Sequence, residues 1–343
     1  MSGKPIVIVD PNFRRMDEIF SPADQQRLHE MVDVVWGRDA LMPQAEVLRA
    51  LPDAEAIICC DWRYGDVLAS APKLRAIIDV TGAFPAALDY EACHARKIRV
   101  LCSIPSFVRQ VAEMSLGMAI AAGREIALGD RLFREGREQY LHAGNQGTIM
   151  LYGKAVGMIG FGGIGRALKP LLEPFGVRIA AYDPWLSPGT LRSLGVTSVS
   201  LDTLLTSSDY IFVTAVPTVE NRALLGRQEF AKIRDNAVFV LVSRAHVVDF
   251  DALTEVALSG RIRVATDVFP AEPLAKDHPI RAAEKAILSA HRAGSTQEGL
   301  WEMGEMVLDD LEMILRGLPP ARLQSAQPEL IRRYAPITVP ADE

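Results

Sequence analysis

An arginine, a glutamate and a histidine follow one another along the second half of the chain, in Ser243-Arg244-Ala245, Asp267-Val-Phe-Pro-Ala-Glu272-Pro and Ser289-Ala-His291-Arg-Ala-Gly294. Each comes just after a short apolar run that reads as a strand, and α/β sheets hold their ligands at strand C-terminal ends. Together the three residue types suit hydride transfer at a carbon bearing oxygen. A guanidinium offers a fork to a carboxylate and polarises the adjacent carbonyl. An imidazole gives or takes the hydroxyl proton near neutral pH, and a glutamate beside it favours the imidazolium. Taken singly, each has a plainer reading as an ion-pair arginine, a loop carboxylate or a satisfied interior histidine. Their succession along one sheet favours chemistry.

The stretch Ala155-Val-Gly-Met-Ile-Gly160-Phe-Gly162-Gly163-Ile164-Gly165-Arg166 offers a place for the hydride carrier. A G-x-G-x-x-G run is weak evidence in a chain with 25 glycines, but this one joins a strand pattern to a helix pattern. Gly160 allows the tight strand exit, Gly162 lets backbone N–H groups approach a pyrophosphate, and Gly165 lets the helix sit close to the sheet. The helix N-terminus adds partial positive charge. Asp183 stands 18 residues past Gly165, near the spacing at which an acid binds the adenosine ribose hydroxyls and repels a 2′-phosphate. Since Asp183-Pro-Trp-Leu-Ser holds no Arg or Lys, NAD is expected over NADP. The plain alternative is a glycine turn that binds nothing.

These residues need two α/β domains to position them. From the N-terminus, Ile6 to Val9, Val32 to Trp36, Ala56 to Cys60, Leu74 to Val80 and Ile98 to Cys102 read as strands. Helical patterns over Ser21 to Met31, Pro43 to Ala50, Tyr64 to Ala69 and Asp89 to Arg96 alternate with them. A long apolar helix over Ser106 to Gly123 and a charged one over Arg124 to Gln139 lead to the glycine motif. Beyond Asp183, strands are expected over Tyr210 to Val216, Ala237 to Val242, Val264 to Val268 and Ala286 to Ser289. The intervening helices are Gln228 to Ile233 and Asp249 to Ser259, the latter stopped by Gly260. A final helix, Ser295 to Arg316, has apolar residues to spare and is expected to return to the first domain, with Trp301 filling core. The resulting division is 1–107 completed by 295–325 as the substrate-binding domain, 108–294 as the NAD-binding domain, and 326–343 as a C-terminal tail. The polar, proline-bearing segment after Leu318 is expected to fray.

Composition narrows the partners. The 343 residues carry a formal net charge of −6 with 49% hydrophobic and 23% charged residues, so neither nucleic acid nor a membrane surface is an expected partner. No run of 18 apolar residues and no leader-like segment is present, and a cytoplasmic location is expected. Cys59, Cys60, Cys93 and Cys102 lack metal or disulfide spacing and read as buried thiols; no metal is expected. His29, His94, His142, His246 and His278 have no partners at useful spacing and read as structural or exposed.

In these motifs the chain resembles the D-isomer-specific 2-hydroxyacid dehydrogenases, in the branch of phosphoglycerate and glyoxylate/hydroxypyruvate reductases. The resemblance runs from about Leu74 to Gly317. It rests on Thr81-Gly82-Ala83-Phe84-Pro-Ala-Ala-Leu-Asp89, Val111-Ala-Glu113, the glycine motif with Asp183, Ser243-Arg244, Gly260, the segment from Asp267 to Pro273, and His291-Arg-Ala-Gly294. It implies two Rossmann-like or flavodoxin-like doubly wound parallel-sheet domains with an interdomain cleft. It also implies a homodimer, contacting through the Gly117 to Tyr140 region, and interconversion of a 2-oxoacid and a D-2-hydroxyacid by NAD(H). In that reading Arg244 anchors the substrate, His291 is the acid/base and Glu272 tunes it. Gly160, Gly162, Gly163, Ile164, Gly165, Asp183, Val216, Ser243, Asp267 and Gly294 hold the cofactor, Asp267 through the nicotinamide carboxamide. The backbone of Gly82, Ala83 and Phe84 holds the substrate carboxylate.

Departures from the family pattern bear on substrate choice. Ala245 replaces the usual glycine after the arginine, Ala290-His291-Arg292 replaces Pro-His-Ile, and Phe84-Pro85 places an aromatic-proline wall in the substrate turn. Arg63, in the loop after the third strand, is a candidate for the distal end of a charged substrate, and Arg292 a weaker one. A Glu at position 272, where formate dehydrogenases carry an amide, speaks against formate chemistry, which needs no proton donor. A different class of function, an NADH-sensing interaction scaffold without turnover, is disfavoured by retention of Arg244, Glu272 and His291 together.

Overall fold

The computed structural model describes residues 3–334, so 335–343 of the expected tail lie outside the described residues. The chain forms two compact units, one made of 3–107 with 295–334 and the other of Val108–Gly294. In chain order the elements run β1 Ile6–Asp10, α1 Met16–Ile19, α2 Pro22–Met31, β2 Asp33–Trp36, α3 Gln44–Ala50, β3 Ala54–Cys59, β4 Ala76–Asp79, α4 Tyr90–Ala95 and β5 Arg99–Cys102. Helix α5, Ile104–Gly123, contains the division point and is followed by α6 Ile126–Arg134. The second unit continues with β6 Ala155–Ile159, α7 Gly163–Leu172, β7 Arg178–Tyr182, α8 Pro188–Ser193, β8 Thr197–Ser198, α9 Leu201–Ser207 and β9 Tyr210–Val213. Then come α10 Arg227–Lys232, β10 Val238–Leu241, α11 Phe250–Ser259, β11 Arg263–Thr266 and β12 Ile287–Leu288. The first unit is completed by α12 Gln297–Leu315, β13 Gln324–Ser325 and α13 Pro328–Ile331. No helix among the described residues is long and apolar enough to cross a membrane.

The first unit's sheet has the order β13-β5-β4-β3-β1-β2, parallel except for β13. This is the 2-1-3-4-5 doubly wound arrangement with one antiparallel strand added at an edge. Its inner strands are buried on both faces, as Ala76–Asp79 illustrates with four buried residues in succession, which is why they read as unbroken apolar runs. Helix α12 supplies Leu300, Met303, Val307, Leu308, Leu311 and Ile314 to the same core as Val7, Val9, Ile58 and Ile78. The Arg27 guanidinium fastens it through Asp309 and Glu312 at 2.7 and 2.9 Å. The second sheet has the order β12-β11-β10-β9-β6-β7-β8, parallel throughout. The order reverses between β6 and β9, the topological switch point where such sheets bind ligands.

Five sequence expectations are corrected. Tyr64 to Ala69 forms no α-helix and yields only a 3-10 turn at Leu68–Ser70; Asp61 and Gly65 take positive φ of 62° and 73°, which breaks helical geometry. The helix expected to Gln139 ends at Arg134, and the strand expected to Val216 ends at Val213. Between Leu318 and Tyr334 the chain does not fray. Asp310, fully buried in α12, accepts the N–H groups of Ala321, Arg322 and Leu323 at 2.6 to 3.1 Å, which delivers Gln324–Ser325 to the edge of β5. Trp301 is not core, being 39% exposed with its indole N–H donated to the Asp17 carbonyl.

Candidate active site

The glycine motif occupies the switch point of the second sheet. Gly160 leaves β6 with φ +84°, and a Cβ there would lie 2.6 Å from Cα of Ala215 on the chain leaving β9, so only glycine fits. Gly162 and Gly163 are exposed, and nothing lies within 4 Å of a Cβ built at Gly162. At Gly163 a Cβ would meet Val108, and at Gly165 it would press on Phe161. Helix α7 starts without a side-chain cap. Among the described residues the N–H groups of Gly163, Ile164 and Gly165 therefore have no acceptor, leaving an open cradle of donors at a helix N-terminus. Asp183, at the end of β7, closes one side of it. Its carboxylate accepts the Phe161 N–H at 2.7 Å and the N–H groups of Trp185 and Leu186 at 2.8 and 3.2 Å. The anion is thus fixed beside the cradle with lone pairs to spare. This donor set fits a dinucleotide with an unphosphorylated ribose.

The histidine and glutamate meet as a pair. His291 Nδ1 is 2.5 Å from Glu272 Oε2, and Glu272 Oε1 accepts the Phe269 N–H at 2.8 Å. With Nδ1 occupied by the carboxylate, Nε2 is the ring atom free for a reacting group. Burial pushes the Glu272 carboxyl up, but the hydrogen bonds from His291 and the Phe269 N–H outweigh it and hold it below the usual range. His291 itself sits at φ +50°, a conformation non-glycine residues adopt at a cost. Asp267 holds it there, and the residue is 1% exposed. Its carbonyl takes the His291 N–H at 2.8 Å, and its carboxylate takes those of Arg292 and Ala293 at 3.1 and 2.9 Å. Its carboxylate thus braces the 291–293 turn.

Arg244 follows β10 in extended conformation. Its Nη1 donates to the Ser243 carbonyl at 2.8 Å, while Nε and Nη2 have no partner among the described residues. Burial pushes its pKa down, against the attraction of Glu272 and Asp267, so the arginine and the acid/base pair lie within one electrostatic neighbourhood. Among the described residues the Ser243 and Ser289 hydroxyls are buried without a hydrogen-bond partner. Val216 lies in the loop beyond β9, its carbonyl engaged by Asn221, and Gly294 is half-buried. The Arg292 side chain is exposed. His246 and His278 are structural, one paired with the Thr218 carbonyl and the other accepting the Ile280 N–H.

In the first unit the Thr81–Phe84 turn is braced from below. Asp79, fully buried, accepts the N–H groups of Asp61 and Thr81 at 2.8 and 2.7 Å and the Thr81 hydroxyl at 2.5 Å. Burial pushes its carboxyl up to about 6, against those hydrogen bonds. Thr81 Oγ1 in turn accepts the Ala83 N–H at 3.1 Å, so that donor is spent inside the turn. The N–H groups of Gly82 and Phe84 have no partner among the described residues. Gly82 has φ +90°, and the ring of Phe107 fills the place of its Cβ. Phe84 stacks on Tyr334, with ring centroids 5.7 Å apart. Arg63 follows β3 as expected, its guanidinium bonded to the Asn12 carbonyl and 4.0 Å from Asp10. The Asp79–Thr81 brace went unremarked in the sequence, although Asp-x-Thr before glycine is a turn signature. Arg14, which donates Nε–H to the Val80 carbonyl at 2.8 Å, left no local signal at all.

Residues 116–293 match the family model described as the NAD binding domain of D-isomer specific 2-hydroxyacid dehydrogenases. The D-3-phosphoglycerate dehydrogenase of Mycobacterium tuberculosis is 32% identical over 302 residues, which are 87% of this chain and 56% of that protein. This chain thus spans little more than half the length of that relative. A glyoxylate reductase of Thermofilum pendens is 30% identical over 308 residues, 86% of this chain and 89% of that one. The crystal structure of a phosphoglycerate oxidoreductase from Rhizobium etli superposes with a TM-score of 0.83 at 39% identity, covering 94% of this chain and 99% of that one.

Proposed function

Because the chain belongs to the D-isomer-specific 2-hydroxyacid dehydrogenase family, we propose that it is an NAD(H)-dependent oxidoreductase interconverting a 2-oxoacid and a D-2-hydroxyacid. The observation that carries this reading is the 2.5 Å His291–Glu272 pair in the electrostatic neighbourhood of Arg244, on the sheet that also bears the Gly160–Gly165 cradle. The free N–H groups at the start of α7 would hold the pyrophosphate. Asp183 would take the ribose hydroxyls, and Val216, Ser243, Asp267 and Gly294 would line the nicotinamide end. When bound, the reduced nicotinamide supplies the hydride. Arg244 orients the 2-oxoacid by its carboxylate and polarises the carbonyl. His291, with Nδ1 steadied by Glu272, delivers a proton from Nε2 to the carbonyl oxygen as that carbon is reduced, and recovers it in the reverse direction. The backbone turn at Gly82, Ala83 and Phe84 serves the substrate carboxylate through the Gly82 and Phe84 donors.

The test is NADH oxidation against 2-oxoacids varied in length, charge and phosphorylation. At least one should turn over, yielding the D product, with NADH preferred over NADPH because the Asp183 carboxylate repels a 2′-phosphate. Tight NADH binding with no turnover of any member would instead mark a sensing scaffold. A strong NADPH preference would remove the role given to Asp183.

A homodimer fits the surface of the second unit. Ile126, Phe133, Tyr140 and Leu141 are 54, 62, 69 and 87% exposed, large apolar side chains that a second copy would cover. Sedimentation velocity should give twice the 37.6 kDa chain mass, and a monomer at micromolar concentration would refute it.

A further inference from the structure

Arg14 is the one large cation of the first unit that is buried yet lacks an anion. It is 8% exposed, and no carboxylate lies within ion-pair distance among the described residues. Only Nε is used, in the bond to the Val80 carbonyl two residues before Gly82; Nη1 and Nη2 have no partner there. The other packed arginines of this unit differ. Arg27 spends both terminal nitrogens on Asp309 and Glu312, Arg75 on Glu55 and the carbonyls of Ile314 and Leu315, and Arg96 on the carbonyls of Leu68 and Ala71. The arginine in the same condition is Arg244, with one nitrogen on a backbone carbonyl and the rest of the fork bare.

The surroundings of Arg14 hold its side chain in place without neutralising it. Its guanidinium carbon lies 5.3 Å from the ring centroid of Phe13 and 5.7 Å from that of Phe107, and the same Phe107 ring fills the Cβ position of Gly82. Asp79, a buried carboxylate whose charge reaches Arg14 through space, is committed to Asp61 and Thr81. Glu18 and Cys60 reach the Arg14 guanidinium only through space. A buried guanidinium without an anion is costly, and a fork of free N–H groups matches a carboxylate or phosphate.

We propose that Arg14 forms an anion subsite beside the substrate turn and takes a second negative group, a terminal carboxylate or phosphate, at the tail of the 2-oxoacid. Arg63, already engaged by Asp10 and Asn12, is the lesser contributor. The assignment of the ligand as a 2-oxoacid rests on the proposed function, whereas the anion subsite stands independently of turnover.

Two measurements separate the subsite from the activity. Calorimetric titration of a short aliphatic dicarboxylate, and separately of inorganic phosphate, should show binding to the wild-type chain that weakens about 30-fold in Arg14→Gln, the loss of a charged hydrogen-bond pair. The tighter of the two identifies the tail group. Equal affinity in variant and wild type, or no binding of either anion to the wild type, overturns the proposal. In turnover, the kcat/KM ratio of a charged-tail 2-oxoacid to a neutral one of equal length should fall by a similar factor in Arg14→Gln. A uniform loss on both substrates would instead mark Arg14 as a brace for Val80 and overturn the subsite. Should the glutamine variant fail to fold, Arg14→Lys keeps the charge without the fork, and the ratio must still fall about fivefold or more. A wild type that binds the anions through Arg14 but reduces no 2-oxoacid would sink the proposed activity and leave the subsite standing.

Discussion

His291→Ala is expected to lower kcat for 2-oxoacid reduction by about three orders of magnitude while leaving the dissociation constant for NADH within about threefold, since the helix N-terminal cradle and Asp183 are untouched. The reason lies in the order of bonds around the ring. Glu272 fixes Nδ1 and Asp267 holds the backbone at φ +50°, so the ring is held with Nε2 as its unpaired nitrogen. Glu272→Gln should cost less, because an amide can still accept the Nδ1 proton but no longer stabilises the imidazolium. The sign of the pH effect follows from the carboxyl being held below its ordinary value of about 4.3. The negative charge of Glu272 is complete above that value and is lost only as the pH falls through the lowered one. A limb of the wild-type kcat/KM profile in the neutral range therefore does not report Glu272, yet Glu272→Gln should change that profile by removing the negative charge beside the proton-transferring ring. Steady-state profiles of both variants, with NADH affinity read by fluorescence, check the set. Near-normal turnover in His291→Ala would refute the acid/base assignment, and a profile unmoved by Glu272→Gln would refute the pairing as a functional one.

What the sequence discloses is what repeats or lies close along the chain. Buried parallel strands read as apolar runs, so both sheets were visible, and the Gly160–Gly165 spacing carried its own geometry, which Ala215 and Val108 explain only once the chain is folded. Arg244, Glu272 and His291 were visible because each stands just past a strand. Contacts between segments far apart in sequence were not. The 19 residues from Glu272 to His291 give no sign that the two side chains meet. Asp310 reads as one charge among several on an amphipathic helix, although it anchors the chain at 321–323. Nothing along the sequence shows that Asp267 braces the turn that carries His291. Arg14 shows the limit most plainly. An arginine after a first strand is ordinary in sequence, and its importance consists entirely in what three distant segments fail to offer it.

Arg244→Gln should cost kcat/KM for the 2-oxoacid about a thousandfold, the equivalent of about 4 kcal/mol lost when one partner of a buried charged hydrogen bond is truncated. The wild-type side chain reaches this role with Nη1 already committed to the Ser243 carbonyl, so the fork is aimed before substrate arrives and little rotamer entropy remains to be lost on binding. Arg244→Lys keeps the charge and loses the fork, and should recover only part of the rate, about tenfold, with most of the recovery in KM. A purely structural arginine would give a different pattern. Its loss would lower the melting temperature and NADH affinity together, and added guanidinium would only denature further. If Arg244 binds substrate, Arg244→Ala leaves a cavity shaped for a guanidinium beside Glu272 and Asp267, whose charges attract a cation there. Millimolar guanidinium, far below denaturing levels, should then restore part of kcat/KM in Arg244→Ala and have no such effect on His291→Ala. Rescue of neither variant, combined with an equal fall in NADH affinity, would move Arg244 out of the substrate site and into the scaffold.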